Sequence, residues 1–268
     1  MTQPLALVAA QYPARFTEPR LEEAVVTIWL RQATGKDDGW SCYSTEEPFM
    51  AIVIAIDGPA GAGKSTIARR LATRLGFTYI DSGAMYRAVA LWALRQKLDP
   101  SDRHRMEQLA LAAAISLEGE RVVLNGEDVT EALRGPEVSR AASLVATIPG
   151  VRRALVDKQR EIGAQNNVVM EGRDIGSVVF PQADLKIFLD AESEERARRR
   201  AAEVNGDHEL IAHQIRERDE RDRTRAEAPL TQALDAVYFD STGLSIEEVE
   251  EAILKLVRAR ITNGKEFR

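Results

Sequence analysis

The stretch Gly58-Pro-Ala-Gly-Ala-Gly63-Lys64-Ser65 constrains this chain more than any other feature. It fills the pattern G-x-x-x-x-G-K-[ST] completely and follows the apolar run Ile52-Val-Ile-Ala-Ile56, as a buried strand entering a phosphate loop should read. Glycines there let the backbone curl until its N–H groups point inward, at the positive end of the helix that follows. Lys64 is expected to reach the outer phosphates of ATP, and the Ser65 hydroxyl to ligate Mg2+. Gly58, Pro59, Ala60, Gly61, Ala62, Gly63 and Thr66 complete the expected ATP contacts.

The elements around this loop alternate. A helix is expected from Ser65 to Leu75, closed by Gly76, then a strand over Phe77–Ile80 and a helix over Ala84–Leu94. Asn167–Met170 and Leu185–Leu189 are short apolar runs bounded by polar residues, as parallel core strands are, and Val237–Phe239 is a weaker fifth. The last helix begins at Ser245 with Glu248 three residues on, a capping box. Strands separated by helices predict an α/β fold: a parallel sheet flanked by helices, of the P-loop NTPase kind.

Ile115–Leu117, Val122–Leu124 and Asn125-Gly126 break the rhythm and read as short antiparallel strands with tight turns. Helices near Pro136–Ala146 and Pro149–Ile162 follow. The segment from about Leu98 to Val151 is therefore expected to be an insertion that caps an acceptor. Residues 1–49 differ in character and are expected to be an extension, with Met50 as a possible start; a short helix over Leu21–Gln32 is predicted from one apolar face.

Composition narrows the function. A net charge of −6 argues against a nucleic-acid coat, because binding a phosphate backbone needs an excess of Lys and Arg. One cysteine, Cys42, allows no internal disulfide and no cysteine-rich metal site, and no apolar run approaches the roughly 18 residues of a membrane span. A cytoplasmic, membrane-free monomer acting on small molecules is the expectation.

The phosphate loop leaves the acceptor open. No N-K-x-D segment is present to read guanine, and Asp240-Ser-Thr-Gly243 reads as a strand end and turn rather than a switch. A kinase needs a second, arginine-rich pocket, and three clusters qualify. Asp81-Ser82-Gly-Ala-Met-Tyr86-Arg87 opens a helix after a strand, where Arg87 could hold an acceptor phosphate or Asp81 and Ser82 could simply cap. Glu171-Gly-Arg173-Asp174 lies just past a strand's carboxyl end, where a parallel sheet presents its ligand crevice. Between Ile215 and Arg225, Arg218, Asp222 and Arg225 fall within about 60° on one helical face. With a phosphate loop in the same chain, that helix reads as a lid over about 205–228 rather than as a solvated helix. The cluster Arg196–Arg200 is left between a nucleotide contact and an exposed helix.

From about Ile52 to Ile261 the sequence resembles bacterial cytidylate kinase. The resemblance rests on Asp57-Gly-Pro-Ala-Gly-Ala-Gly-Lys-Ser65, Asp81-Ser-Gly-Ala-Met-Tyr-Arg87, Glu171-Gly-Arg-Asp174 with Ile175–Pro181, and Arg218–Arg225 with Ala228-Pro-Leu230. It implies phosphoryl transfer from ATP with Mg2+ to CMP and dCMP, by a core, an acceptor-binding insertion and a lid. It further implies that Ser82, Tyr86 and Arg87 line the acceptor site and that Ser143, Arg152 and Asp174 read cytosine. Arg218 and Asp222 would address the ribose, while Arg87, Arg173 and Arg225 would grip phosphate; Lys64, Arg173, Arg218 and Arg225 would be catalytic. Rival readings are a kinase for UMP, shikimate or dephospho-coenzyme A, and a nucleotide switch.

Overall fold

The computed structural model describes residues 27–29, 42–44, 51–204 and 206–261. The chain divides into two units, Met1–Phe49 and Met50–Arg268. In the first, β1 (Thr27–Trp29) pairs antiparallel with β2 (Cys42–Ser44), with Ile28 opposite Tyr43. This corrects the helix expected over Leu21–Gln32. Two consecutive β-branched residues and Trp29 suit a pleated surface better than a helix. The remainder of that helix, and Met50 as a start, lie outside the described residues.

In the second unit β3 (Val53–Asp57) enters the phosphate loop and α1 (Lys64–Leu75) leaves it. Helix α1 starts after Gly63, in the left-handed region at φ 89°, and stops at Gly76, at φ 68°, whose N–H closes on the Ala72 carbonyl. Ile67, Ala68, Leu71 and Ala72 recur at helical spacing and are buried; Leu71 is sealed from solvent, a burial that contributes about 2–3 kcal/mol. Next come β4 (Thr78–Asp81), α2 (Ser82–Arg95) and α3 (Arg103–Ala112). A small antiparallel sheet follows: β5 (Ile115–Glu118), β6 (Arg121–Leu124) and β7 (Glu127–Asp128). Asn125 and Gly126 both have positive φ, 52° and 85°, which is what a tight hairpin turn of matching twist requires.

Helices α4 (Pro136–Val145) and α5 (Pro149–Gly163) each begin on a proline, where a missing N–H costs nothing. The chain then returns through β8 (Val168–Gly172), a π-turn (Ile175–Val179), β9 (Leu185–Asp190), α6 (Ser193–Val204), α7 (His208–Thr224), β10 (Val237–Asp240) and α8 (Ile246–Ile261). The anticipated capping box at α8 is present: Ser245 N–H donates to Glu248 Oε2 at 2.8 Å, and Glu248 N–H donates to Ser245 Oγ at 3.3 Å.

The main sheet runs β10-β9-β3-β8-β4, and all its pairs are parallel. Ile54, Ile56, Ile187 and Leu189 pack with Leu71 of α1 and Ile253 of α8 on one face. Val53, Ala55, Ile80 and Met170 pack with Val156 of α5 and with Ile175 on the other. A separate core built on Met85, Met106 and Leu155 joins α2 through α5. Strand β3 lies at the switch point, with β8 and β4 to one side and β9 and β10 to the other. The crevice beyond its carboxyl end is where such sheets bind ligands. No helix among the described residues is long and apolar enough to cross a membrane.

Candidate active site

The phosphate loop is built as its glycines require. Gly58 has φ 149°, and a Cβ there would lie 1.9 Å from the Leu189 carbonyl oxygen, so only glycine lets β3 turn beside β9. The buried Lys64 donates from Nζ to the Pro59 carbonyl at 2.7 Å. Burial, then the Arg173 and Arg218 guanidiniums, pushes Lys64 down to about 7. Ser65 and Thr66 are exposed in the first turn of α1.

Glu171 closes the floor. Its carboxylate accepts from Tyr79 Oη at 2.6 Å and from the Ser65 hydroxyl, and burial followed by the nearby Asp81 charge raises its pKa. Among the described residues no cluster of three or more acids, histidines or cysteines could hold a metal. The Ser65 hydroxyl and the neighbouring Glu171 carboxylate are oxygen donors, the kind a hard cation would take together with phosphate oxygens and water. Mg2+ binds in that way, so the donor set fits it.

A second group of polar residues gathers beyond the carboxyl ends of two strands, β4 and β8. Asp81, at the end of β4, does two things at once: Oδ1 accepts from Ala84 N–H at 3.0 Å, and Oδ2 accepts from Arg87 Nη2 at 2.6 Å. The expected cap is therefore present, and the same carboxylate holds Arg87. Ser82 Oγ donates to the Glu171 carbonyl at 2.7 Å, fixing α2 against β8. Beyond β8, Arg173 Nε donates to Asp222 Oδ2 at 2.9 Å, joining this turn to α7. Asp174 bonds Arg152 Nη2 and lies 3.8 Å from Arg225 Nη2, all three being buried. The Arg152 guanidinium stands 5.6 Å over the Tyr86 ring, whose hydroxyl burial pushes up to about 12.

Two groups of expected residues therefore meet. Lys64, Arg173, Arg218 and Asp222 influence one another around the phosphate loop, with Arg87 beside Arg218. Arg152, Asp174, Arg225 and Tyr86 form the second group, which Asp222 links to the first. Ser143, on α4, has a buried hydroxyl without a hydrogen-bond partner, as do Arg218 Nε and Arg225 Nη2. Unpaired buried polar groups are costly, and they mark where a polar ligand would bond. Burial and Arg173 lower Arg218 to about 10, so it remains charged at neutral pH.

Two sequence readings change. Arg225 does not lie within the helix expected to form a lid: α7 ends at Thr224, and Arg225 follows in extended backbone at φ −61°, ψ 142°. It reaches the site because its Nε donates to the Ala228 carbonyl at 2.5 Å. The cluster Arg196–Arg200 is mixed. Arg198 and Arg200 pair with Glu195 and Glu203 on the surface, Arg199 bonds Ser241, and Arg196 is buried.

Asp57 had no role in the sequence reading. It is buried, and its two oxygens accept from Ile175 N–H and Gly176 N–H at 2.8 Å each. One carboxylate therefore ties the residue before the phosphate loop to the turn carrying Arg173 and Asp174. Burial raises its pKa to about 6. The available signal was an acid ending an otherwise apolar strand. Tyr79 was missed because it reads as an ordinary core aromatic.

A doubly wound parallel sheet around a phosphate loop, with a second cationic pocket facing that loop, defines a P-loop phosphotransferase. The family model for cytidylate kinase matches residues 54–259. The cytidylate kinase of Solibacter usitatus is 66% identical over 223 residues, covering 81% of this chain and 96% of the relative. That of Caldanaerobacter subterraneus subsp. tengcongensis is 50% identical over 214 residues, covering 78% and 96%. The chain belongs to the cytidylate kinase family.

Proposed function

We infer that this chain transfers the γ-phosphoryl group of ATP to CMP or dCMP, giving ADP and CDP or dCDP. The observation that carries the reading is a cationic cluster beside the phosphate loop, in which Arg173 lies 2.9 Å and Arg225 3.9 Å from one carboxylate, Asp222, while Arg218 Nε and Arg225 Nη2 have no hydrogen-bond partner. Cations brought this close repel one another, and a phosphate chain held among them relieves the repulsion.

In this reading the loop N–H groups and Lys64 hold the donor phosphates, and Arg87, Arg173 and Arg225 hold the acceptor phosphate. The acceptor oxygen is already anionic near neutral pH, because a phosphate monoester's second pKa is about 6, so no strong general base is needed. Lys64, Arg173, Arg218 and Arg225 stabilise charge on the moving group while the two phosphates are held in line. Mg2+ at Ser65 would supply further charge neutralisation on the phosphates. Lid residues around 205–228 exclude water, and the insertion at about 98–151 contributes Ser143 to the base pocket.

Cytosine is distinguished at Asp174, Arg152 and Ser143. Its amino group donates to the Asp174 carboxylate, while its ring acceptors meet Arg152 and the Ser143 hydroxyl. Uracil presents an oxygen where cytosine has the amine, and that oxygen faces a carboxylate. Asp222 and Arg218 border the ribose, and Tyr86 and Ser82 wall the site. ADP release from ATP with each nucleoside monophosphate in turn tests this reading. CMP and dCMP should stimulate release far more than UMP, AMP or GMP. Equal stimulation by UMP would overturn the assigned base pocket.

A further inference from the structure

Arg196 on α6 and Asp219 on α7 form a buried ion pair, Nη1 to Oδ2 at 2.6 Å, with side chains only 3% and 6% exposed. Helices α6 and α7 already share a small apolar core of Ala197, Ile211, Ala212 and Ile215. A pair that served only to hold these helices together would end within them. This one does not. Arg196 Nη1 also donates to the Ala60 carbonyl at 3.1 Å, and Asp219 Oδ1 accepts from the Ala60 N–H at 3.4 Å. Both backbone groups of one phosphate-loop residue are thus held by the same ion pair.

The remaining donors of Arg196 are committed to its own helix entrance, Nε to the Ala191 carbonyl at 2.9 Å and Nη2 to Ser193 Oγ at 2.9 Å. Backbone contact is equally close, since a Cβ on Gly61 would lie 3.0 Å from the Arg196 carbonyl oxygen. Buried ion pairs seldom stabilise a fold more than apolar residues of equal volume would, and their best-attested use is to fix register. Asp219 adjoins Arg218, whose orientation about the α7 axis is set once Asp219 is held.

Resting on the kinase reading above, we infer that Arg196 and Asp219 are a positioning pair that locks the lid helix to the phosphate loop at Ala60. The pair delivers Arg218 to the transferring phosphoryl group in one register. Neither residue touches substrate. They act through Arg218 and through the shape of the loop.

The test is a double-mutant cycle on the full chain: wild type, Asp219→Asn, Arg218→Ala and the double variant, with kcat, both KM values and thermal midpoints measured. Asp219→Asn should lower kcat by about tenfold or more, a coupling of ordinary size for contacting residues, while the KM for CMP moves less than about threefold. The double variant should lose no more than the worse single, because Arg218 without its anchor has little left to contribute. A merely structural pair would lower the thermal midpoint, and the two losses in kcat would multiply. Multiplication to within about twofold, or wild-type kcat in a folded Asp219→Asn, overturns the inference. If Asp219→Asn does not fold, Arg196→Lys carries the same cycle, because one ammonium cannot serve Asp219, Ala60 and Ala191 together. A wild type without CMP-stimulated ADP release would overturn the kinase reading instead, and the inference with it.

Discussion

Lys64 should take up a proton when the nucleotide binds. Its ammonium is buried, faces Arg173 and Arg218, and is pushed down to about 7. At pH 8 a group with that pKa is about 10% protonated, and at pH 6 about 90%. Phosphate oxygens at the loop favour the charged form, returning Lys64 toward its ordinary range. Binding at pH 8 should then absorb about 0.9 proton and cost about 1.4 kcal/mol, about tenfold in affinity relative to a Lys64 already fully charged. Other groups are silent at pH 8. Arg218, at about 10, is still charged; Asp57, at about 6, is already ionised; and the nucleotide phosphates have lost their protons. Titration calorimetry of ATP binding at pH 8, in buffers of differing ionisation enthalpy, reads the uptake directly. A binding heat independent of buffer would refute the reasoning, because Lys64 would then already be charged in the free protein.

Asp57 makes a second pH prediction, on stability rather than binding. Its carboxyl titrates near 3.8 unfolded and about 6 folded, so the folded state gains a proton in that window. Ionising it costs the fold about 3 kcal/mol, absent below about pH 4 and complete above about pH 6. In urea unfolding, the stability of Asp57→Asn relative to wild type should therefore rise by about that amount between pH 4 and pH 7; a constant difference would count against the shift. Gly58→Ala places a methyl 1.9 Å from the Leu189 carbonyl oxygen and should abolish detectable ATP binding by calorimetry. Normal affinity would show that β3 can shift away from β9. Arg152→Ala leaves Asp174 buried without its hydrogen-bonded partner. It should raise the KM for CMP at least about tenfold with the KM for ATP little changed, and a rise in the ATP value alone would place Arg152 on the donor side.

The fold was legible where local chemistry and tertiary context agree. The loop from Gly58 to Ser65, the stop at Gly76, the Asn125-Gly126 turn and the Ser245–Glu248 box each carry their own geometric instruction. The parallel strands were readable because burial on both faces makes them continuously apolar. At Thr27–Trp29 the sequence misled, since an apolar stripe at helical spacing covered a short β-branched run that pairs across space with Cys42–Ser44. No local pattern encodes such pairing. The site residues were found as motifs, but the pairings among them were not. Asp57 with Ile175 spans 118 positions and Ala60 with Asp219 spans 159, distances over which spacing carries no information. Arg196 looked like its surface neighbours Arg198 and Arg200 because burial alone separates them.

The central claim is transfer of a phosphoryl group between two bound nucleotides, and following the label from [γ-32P]ATP tests it most directly. With CMP present, the account predicts that radioactivity appears in CDP, at its β-phosphate, as ADP forms. Label released as inorganic phosphate at the same rate with and without CMP would contradict it, and would make the cationic second pocket something other than an acceptor site.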